Sequence, residues 1–248
     1  MKKVLIVTGG SRGIGAATAR LAAQSGYAVC ISFLHDKVAA SAIVDEISQA
    51  GGEAIAFAAD VSTEAEVVRL FEQVDEALGS VTALVNNAGI LEQQTRVEHM
   101  DAARLSRVFA TNVIGSFLCA REAVRRMSIK NGGAGGVIVN LSSAASRLGS
   151  PNEYVDYAAS KGAIDTFTLG LAKEVASEGI RVNAVRPGFI YTDIHASGGE
   201  PGRVDRVKVS VPMQRGGTAE EVAKAILWLL SDDASYSTGA LLDVAGGK

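Results

Sequence analysis

Short runs rich in β-branched and apolar residues alternate along the chain with longer stretches whose apolar positions recur at helical spacing, the pattern of repeated βα units that build a parallel sheet. Strands are predicted at Lys3 to Thr8, Ala28 to Phe33, Ala54 to Ala58, Ala83 to Val85, Val137 to Leu141, Ile180 to Val185 and Leu241 to Val244. Most are apolar on successive rather than alternate residues, as expected where helices cover both faces of a sheet. Helices are predicted near 13 to 25, 36 to 50, 63 to 78, 101 to 129, 154 to 178 and 218 to 231. Thr63 with Glu66, and Thr218 with Glu221, have the spacing of capping boxes. The expected fold class is α/β, a doubly wound parallel sheet of seven strands with helices on both faces. No composition shift or fixed repeat divides it, so one domain is expected over residues 1 to 248. Asn131 to Gly136 and Ser197 to Gly202 read as glycine-rich loops. The second lies within Asp193 to Met213, a segment without a place in the sheet and an expected substrate lid.

Composition narrows the class. With 48% hydrophobic and 21% charged residues, the chain is globular rather than disordered. Its longest apolar runs, Ala54 to Ala59 and Ala225 to Leu230, have six residues, whereas a membrane span needs roughly 20. The start, with Lys2 and Lys3 before only four apolar residues, is too short for a secretory signal, so a cytoplasmic protein is expected. A net charge of −3 without any basic run argues against nucleic acid as a partner. Cys30 and Cys119 lie in apolar stretches and read as buried thiols; they and the histidines His35 and His99 lack ligand spacing, so no metal is expected.

The candidate chemistry begins at Thr8-Gly9-Gly10-Ser11-Arg12-Gly13-Ile14-Gly15, between the first strand and the first helix. Glycines there let the backbone approach a pyrophosphate, and free amides at a helix start carry positive partial charge. The ribose 2′ position is read near the end of the second strand. There Phe33 stands where an NAD enzyme would carry an acid, and nothing repels a 2′-phosphate that Arg12 or Ser32 would bind. NADP is therefore expected, with NAD the alternative if Asp36 reaches the ribose. Tyr157 and Lys161 stand four apart on one helical face, an ammonium beside a phenol, the make-up of a general acid/base. Ser142 and Ser143 follow a buried strand at the carboxyl edge, where open α/β sheets bind ligands.

With these motifs, and with Asp60-Val61, Asn86-Asn87-Ala88-Gly89, Asn112 and Pro187-Gly188 followed by Thr192, the chain resembles the classical short-chain dehydrogenase/reductase family over nearly its whole length. The resemblance implies a Rossmann fold in which Tyr157 exchanges a proton with the substrate oxygen and Ser143 holds that oxygen. It implies that Lys161 binds the nicotinamide ribose and lowers the Tyr157 pKa, while Asn112 holds a water of the proton relay. Asp60 and Val61 would flank adenine, Asn86 to Gly89 would support the central strand and cofactor, and Ile190 and Thr192 would hold the carboxamide. The stretch from Ser143 to Tyr157 is slightly longer than is usual in the family, which keeps Ser142 or a bulged loop open; the second serine of such a pair is the one that usually faces the site. The surroundings of Glu153 and His195 resemble a bacterial subgroup labelled glucose 1-dehydrogenase-like, which makes these two the candidates for binding hydroxyls of a sugar or polyol. A 3-oxoacyl-[acyl-carrier-protein] reductase would use the same motifs, and Arg125, Arg126 and Lys130 are the cations a carrier would seek. A non-catalytic NADP sensor would be expected to have lost part of the acid/base set, which is complete here. Apolar residues beyond one sheet-facing stripe (Phe109, Val113 and Phe117; Phe167, Leu171 and Val175) fit the homotetramer that the resemblance implies.

Overall fold

A computed structural model describes residues 2–248 and places every predicted strand in one parallel sheet, in the order β3-β2-β1-β4-β5-β6-β7. The strands are β1 (Lys3–Val7), β2 (Tyr27–Phe33), β3 (Glu53–Ala58), β4 (Ala83–Asn86), β5 (Gly136–Leu141), β6 (Ile180–Pro187) and β7 (Leu241–Val244). Continuous apolar runs pay off because each strand feeds two cores. Val4 and Ile6 of β1 join a cluster with Val67, Phe71, Cys119 and Val175. Leu5 and Val7 join the opposite cluster with Ala19, Ile43, Val222 and Ile226. The helices of the first layer are α3 (Glu64–Ala77), α5 (Gly115–Met127) and α7 (Val155–Val175), with α4 (Ala102–Phe109) leading into α5; those of the second are α1 (Gly13–Gln24), α2 (Lys37–Gln49) and α10 (Ala219–Leu230). Short helices α6 (Ala145–Leu148), α8 (Ile194–Ser197) and α9 (Arg203–Val207) lie in the loops after β5 and β6.

The strand order reverses between β1 and β4, so the loops leaving the two strands diverge and open a cleft at the carboxyl edge. The segment 193–213 holds only α8, α9 and a 3₁₀ turn and adds no strand. Among the described residues no helix is long and apolar enough to cross a membrane.

Several expectations are corrected. The helix expected over 101 to 129 is two helices joined by a π-helical turn, Ala110–Ile114. Thr63 makes no side-chain cap, because Glu66 accepts instead from the Asp60 amide, at 2.8 Å, and so ties the β3–α3 loop. Thr218 and Glu221 do form a capping box. Val175, read as a subunit-packing residue, is buried in the core, whereas Phe117 is 46% exposed and stacks on Phe167 with ring centroids 3.7 Å apart. Cys30 and Cys119 are buried free thiols, and burial pushes Cys119 up to about 12.

These caps give a paired prediction. Thr218→Ala removes a bond that α10 uses and should cost about 1 kcal/mol in urea unfolding. Thr63→Ala removes none and should stay within about 0.5 kcal/mol of the parent.

Candidate active site

The cleft, about 620 Å³, is lined from Gly9 to Arg203 by the loops that follow β1, β2, β3, β4, β5 and β6. At its centre the glycine turn is held from the neighbouring strand. Thr8 Oγ1 accepts from the amides of Asn87 and Ala88, each at 3.0 Å, and Asn87 Nδ2 donates to the carbonyls of Thr8 and Gly9. Gly9 and Gly13 have φ of +63° and +55°, which favour glycine, and a Cβ on Gly15 would lie 2.5 Å from Asn87 Nδ2. Among the described residues nothing accepts from the amides of Gly13, Ile14 and Gly15 at the start of α1, and no side chain caps that helix. Glycines at close approach and three free amides fit a pyrophosphate.

Ser32 is buried and its Oγ accepts from the Gly9 amide at 3.3 Å, so its hydroxyl serves the turn. Phe33 packs into the second core while bordering the cleft. Ser11 and Arg12 line the cleft, and Arg12 is exposed without an ion-pair partner among the described residues. The Asp36 carboxylate caps α2 through the Ala39 amide at 2.9 Å, which engages the acid that would have favoured NAD. Asp60 accepts from Ser62 through both its amide and its hydroxyl, and with Val61 it borders the same end of the cleft. Asn87, Ala88, Gly89, Pro187, Gly188, Ile190 and Thr192 also line it. Asn86 does not. Its amide bonds Ser116 O and Asn140 Oδ1, and Asn140 goes on to Thr168, a polar chain that ties β4 and β5 to α5 and α7.

The acid/base candidates meet where β5 ends. Ser142 turns inward and donates to Lys161 O at 3.1 Å, while Ser143 lines the cleft with its Oγ accepting from the Ala145 amide. Both serines border the cleft, but the Ser142 hydroxyl is committed to Lys161 O and it is Ser143 that bonds the Tyr157 phenol. Lys161 is buried, donates from Nζ to Leu141 O at 2.7 Å, and stands 5.5 Å from the centre of the Tyr157 ring. Burial pushes the phenol up to about 12, and the Ser143 hydroxyl opposes this. The lowering expected from Lys161 is not what sets this phenol; desolvation outweighs it. The same desolvation brings Lys161 down to about 8, against the pull of Asp165 one turn further on. Asn112 sits in the π-helical turn, accepting from the Ile90 amide at 2.8 Å and donating to Ile90 O and Ser160 Oγ.

The two substrate candidates part company. His195 lines the cleft with Nε2 against Ile190 O at 3.1 Å and Nδ1 buried without a partner; burial holds its pKa below the usual histidine range. Glu153 does not line it: its carboxylate pairs with Arg203 and Arg206 of α9, and these pairs hold it below the usual carboxylate range. Arg203, which the sequence reading passed over, is the buried cation at the cleft mouth, with its guanidinium 4.9 Å from the Tyr154 ring and 5.7 Å from that of Phe189. Glu200 stands three residues before it, but the shorter contact of Arg203 is to Glu153, 50 residues away in sequence, which no local spacing signals. Arg125, Arg126 and Lys130 fall at the other edge of the sheet. Met127 O accepts from Gly135 just before β5 begins, and Arg125 pairs with Glu122, Arg126 with Asp75 and Lys130 with Glu178.

Comparison with known proteins gives the family and the fold. Residues 9–248 match the family model described as Enoyl-(Acyl carrier protein) reductase. The chain is 64% identical over 245 residues to the uncharacterized oxidoreductase YgfF of Escherichia coli K12, covering 99% of each. It is 39% identical over 246 residues to the 3-oxoacyl-[acyl-carrier-protein] reductase of Synechocystis, covering 99% of this chain and 96% of the relative. The solved structure of a dehydrogenase/reductase from Sinorhizobium meliloti 1021 superposes with a TM-score of 0.91 at 33% identity, over 99% of this chain and 94% of the other.

Lys161 gives a prediction about stability. Below pH 8 the folded and unfolded chains both carry its charge; between about 8 and 10.5 the unfolded chain holds a proton that the folded one lacks, so stability rises with pH across that window. Urea unfolding of the parent measured against Lys161→Met should show this difference growing by roughly 3 kcal/mol from pH 8 to 10.5. A flat difference would mean a solvated ammonium.

Proposed function

Since the chain belongs to the short-chain dehydrogenase/reductase family and is an NAD(P)-dependent oxidoreductase, we propose that it uses NADP and moves a hydride between nicotinamide and a secondary alcohol or ketone of a neutral, hydroxyl-bearing substrate such as a sugar or polyol. The observation that carries this is the meeting of Ser143, Tyr157 and Lys161 in the cleft that the glycine turn opens.

Bound nicotinamide supplies the hydride donor or acceptor, and the protein supplies position and a proton. The amides of Gly13 to Gly15 bind the pyrophosphate, Arg12 meets the 2′-phosphate, and Asp60 and Val61 border the adenine. Thr192 and Ile190 hold the carboxamide. Ser143 donates to the substrate oxygen, and Tyr157, protonated at neutral pH because it is buried, delivers the proton during reduction. Lys161, fixed on Leu141 O, binds the nicotinamide ribose and stands at the start of the route by which the phenol is recharged. Asn112 holds the next member of that route.

Neutral substrates are favoured because the charges at the mouth cancel. Arg203 and Arg206 are both satisfied by Glu153 and Glu200. His195, donating to Ile190 O from Nε2, places its ring on the cleft wall, where a substrate hydroxyl would meet it only once the buried Nδ1 is uncovered. The segment 193–213 acts as the lid. The carrier-protein reductases among the relatives support a second reading, reduction of a 3-oxoacyl thioester. A docking carrier would need cations other than Arg125, Arg126 and Lys130. The assembly follows the family as a cytoplasmic homotetramer, with Phe117 and Phe167 at a subunit face.

Absorbance-monitored turnover with NADP and NAD across sugars, polyols, simple ketones and 3-oxoacyl thioesters decides between these substrates. Tyr157→Phe should lower kcat by about 10²-fold or more and leave NADPH affinity within about twofold. A variant with full turnover would remove the mechanism. Gel filtration should give four times the chain mass, and a stable monomer at micromolar concentration would refute the assembly.

A further inference from the structure

Asp156 directly precedes Tyr157 on α7 and is almost wholly buried. Arg104 of α4 meets it with two bonds, Nε to Oδ2 at 2.7 Å and Nη2 to Oδ1 at 3.3 Å. The third arm of the same guanidinium, Nη1, donates to Gln93 O at 2.6 Å, in the segment that borders the cleft after β4. Of the ion pairs among the described residues this one is the most buried, with side-chain exposures of 10% and 1%. Such a pair is a poor investment for stability alone, since apolar residues of similar volume serve as well. Its planar, two-point contact instead defines an orientation.

That orientation matters because of where it acts. No side chain caps the start of α7, so the first turn, which carries Tyr157, is held by Asp156. Nine residues on, two and a half turns and so on the opposite side of the helix, Asp165 takes Arg186 of β6 at 2.9 Å. The pairs lie on either side of Tyr157 and Lys161 along the helix and pull it toward different partners, α4 and β6. Asp165 and the Nζ contact to Leu141 O fix the middle of the helix; in its first turn, where Ser160 also holds Tyr157 O, Arg104 makes the one ion pair.

We propose that Arg104 is a positioning residue: through Asp156 it sets the rotation of the first turn of α7, and through Gln93 O it ties to the same guanidinium the chain that continues from the cleft-lining residues Asn87 to Leu91, so that the Tyr157 hydroxyl and that segment keep one geometry. The proposal rests on Tyr157 being the proton donor.

The test compares wild type, Arg104→Lys and the double variant Arg104→Met/Asp156→Leu, which leaves no unpaired buried charge. Each is read by thermal melting, NADPH affinity from nicotinamide fluorescence, and single-turnover reduction at saturating NADPH and substrate, well below the melting temperature. The hydride step of the double variant should slow by about 10- to 100-fold, as a displaced reacting group does. NADPH affinity should stay within about twofold, and Arg104→Lys, with its charge but not its fork, should fall between. A folded double variant that turns over at the wild-type rate overturns the proposal, because a merely structural pair would change melting and not the rate. Tyr157→Phe run alongside separates the two readings: if it keeps turnover, the proton-donor assignment has failed, whereas if it loses turnover while the double variant keeps it, only the role of Arg104 has failed. Should wild type reduce none of the carbonyls, hydrogen exchange of residues 155–158 in the NADPH-bound protein decides, faster exchange in the double variant than in wild type supporting the proposal and equal exchange overturning it.

Discussion

The side chain of Asn87 bonds two successive carbonyls of another loop, those of Thr8 and Gly9, and the rest of the cleft depends on that fork. The loops after β1 and β4 diverge at the point where strand order reverses, and nothing in a parallel ladder holds diverging loops together. Asn87 does so from one side, while Thr8 Oγ1 accepts the Asn87 and Ala88 amides from the other. The glycine turn is thereby closed without using the amides at the start of α1, which stay directed into the cleft. Gly15 is part of the same constraint, because a Cβ there would occupy the space of the Asn87 amide.

A second tier carries the constraint toward the acid/base groups. From Asn86, one residue back, a buried chain runs through Asn140 to Thr168 on α7 and fixes that helix against β4 and β5. Ser142 then bonds Lys161 O, and Lys161 Nζ returns to Leu141 O, so the end of β5 and the second turn of α7 are joined twice. The glycine turn and the Tyr157–Lys161 unit thus share one polar framework at the carboxyl edge. Its members are buried and nearly all satisfied, the condition under which polar networks add rigidity instead of strain.

How much of this could be read from the chain follows from the range of each signal. The glycine turn, the strands and the Thr218 box are local patterns and appear where the spacing puts them. The π-helical turn at Asn112 was not legible, because Ala110 to Ile114 contain no glycine or proline and its cause is tertiary: Asn112 bonds both backbone groups of Ile90, some 22 residues away. Glu66 had the right spacing for Thr63, but its carboxylate accepts from the Asp60 amide, six residues back. Glu153 had the character of a hydroxyl reader until α9 brought two guanidinium groups to it. In each miss a polar side chain took a partner other than the one its local spacing suggested, a choice that hydrophobic periodicity does not encode. The exposed face of Phe117 and the buried Val175 differ for the related reason that one apolar stripe serves a core and the other is left over, which burial alone separates.

Burial also determines the charge state of the central pair. Desolvation penalises whichever form is charged, so it raises the phenol of Tyr157 and depresses the ammonium of Lys161, driving both toward neutrality. Neither reaches it by the same margin at neutral pH: with the phenol near 12 and the amine near 8, the phenol keeps its proton and Lys161 stays mostly cationic. Two features preserve that cation, the Leu141 carbonyl that accepts from Nζ and the Asp165 carboxylate one turn away. Asp165 is itself bound to Arg186, while Lys161 Nζ bonds Leu141 O. A phenol that keeps its proton at neutral pH is in the form that the proposed reduction needs. Oxidation of an alcohol at the same site would require the phenol to lose its proton first, and the energy for that has to come from a cation Lys161 is poised to remain.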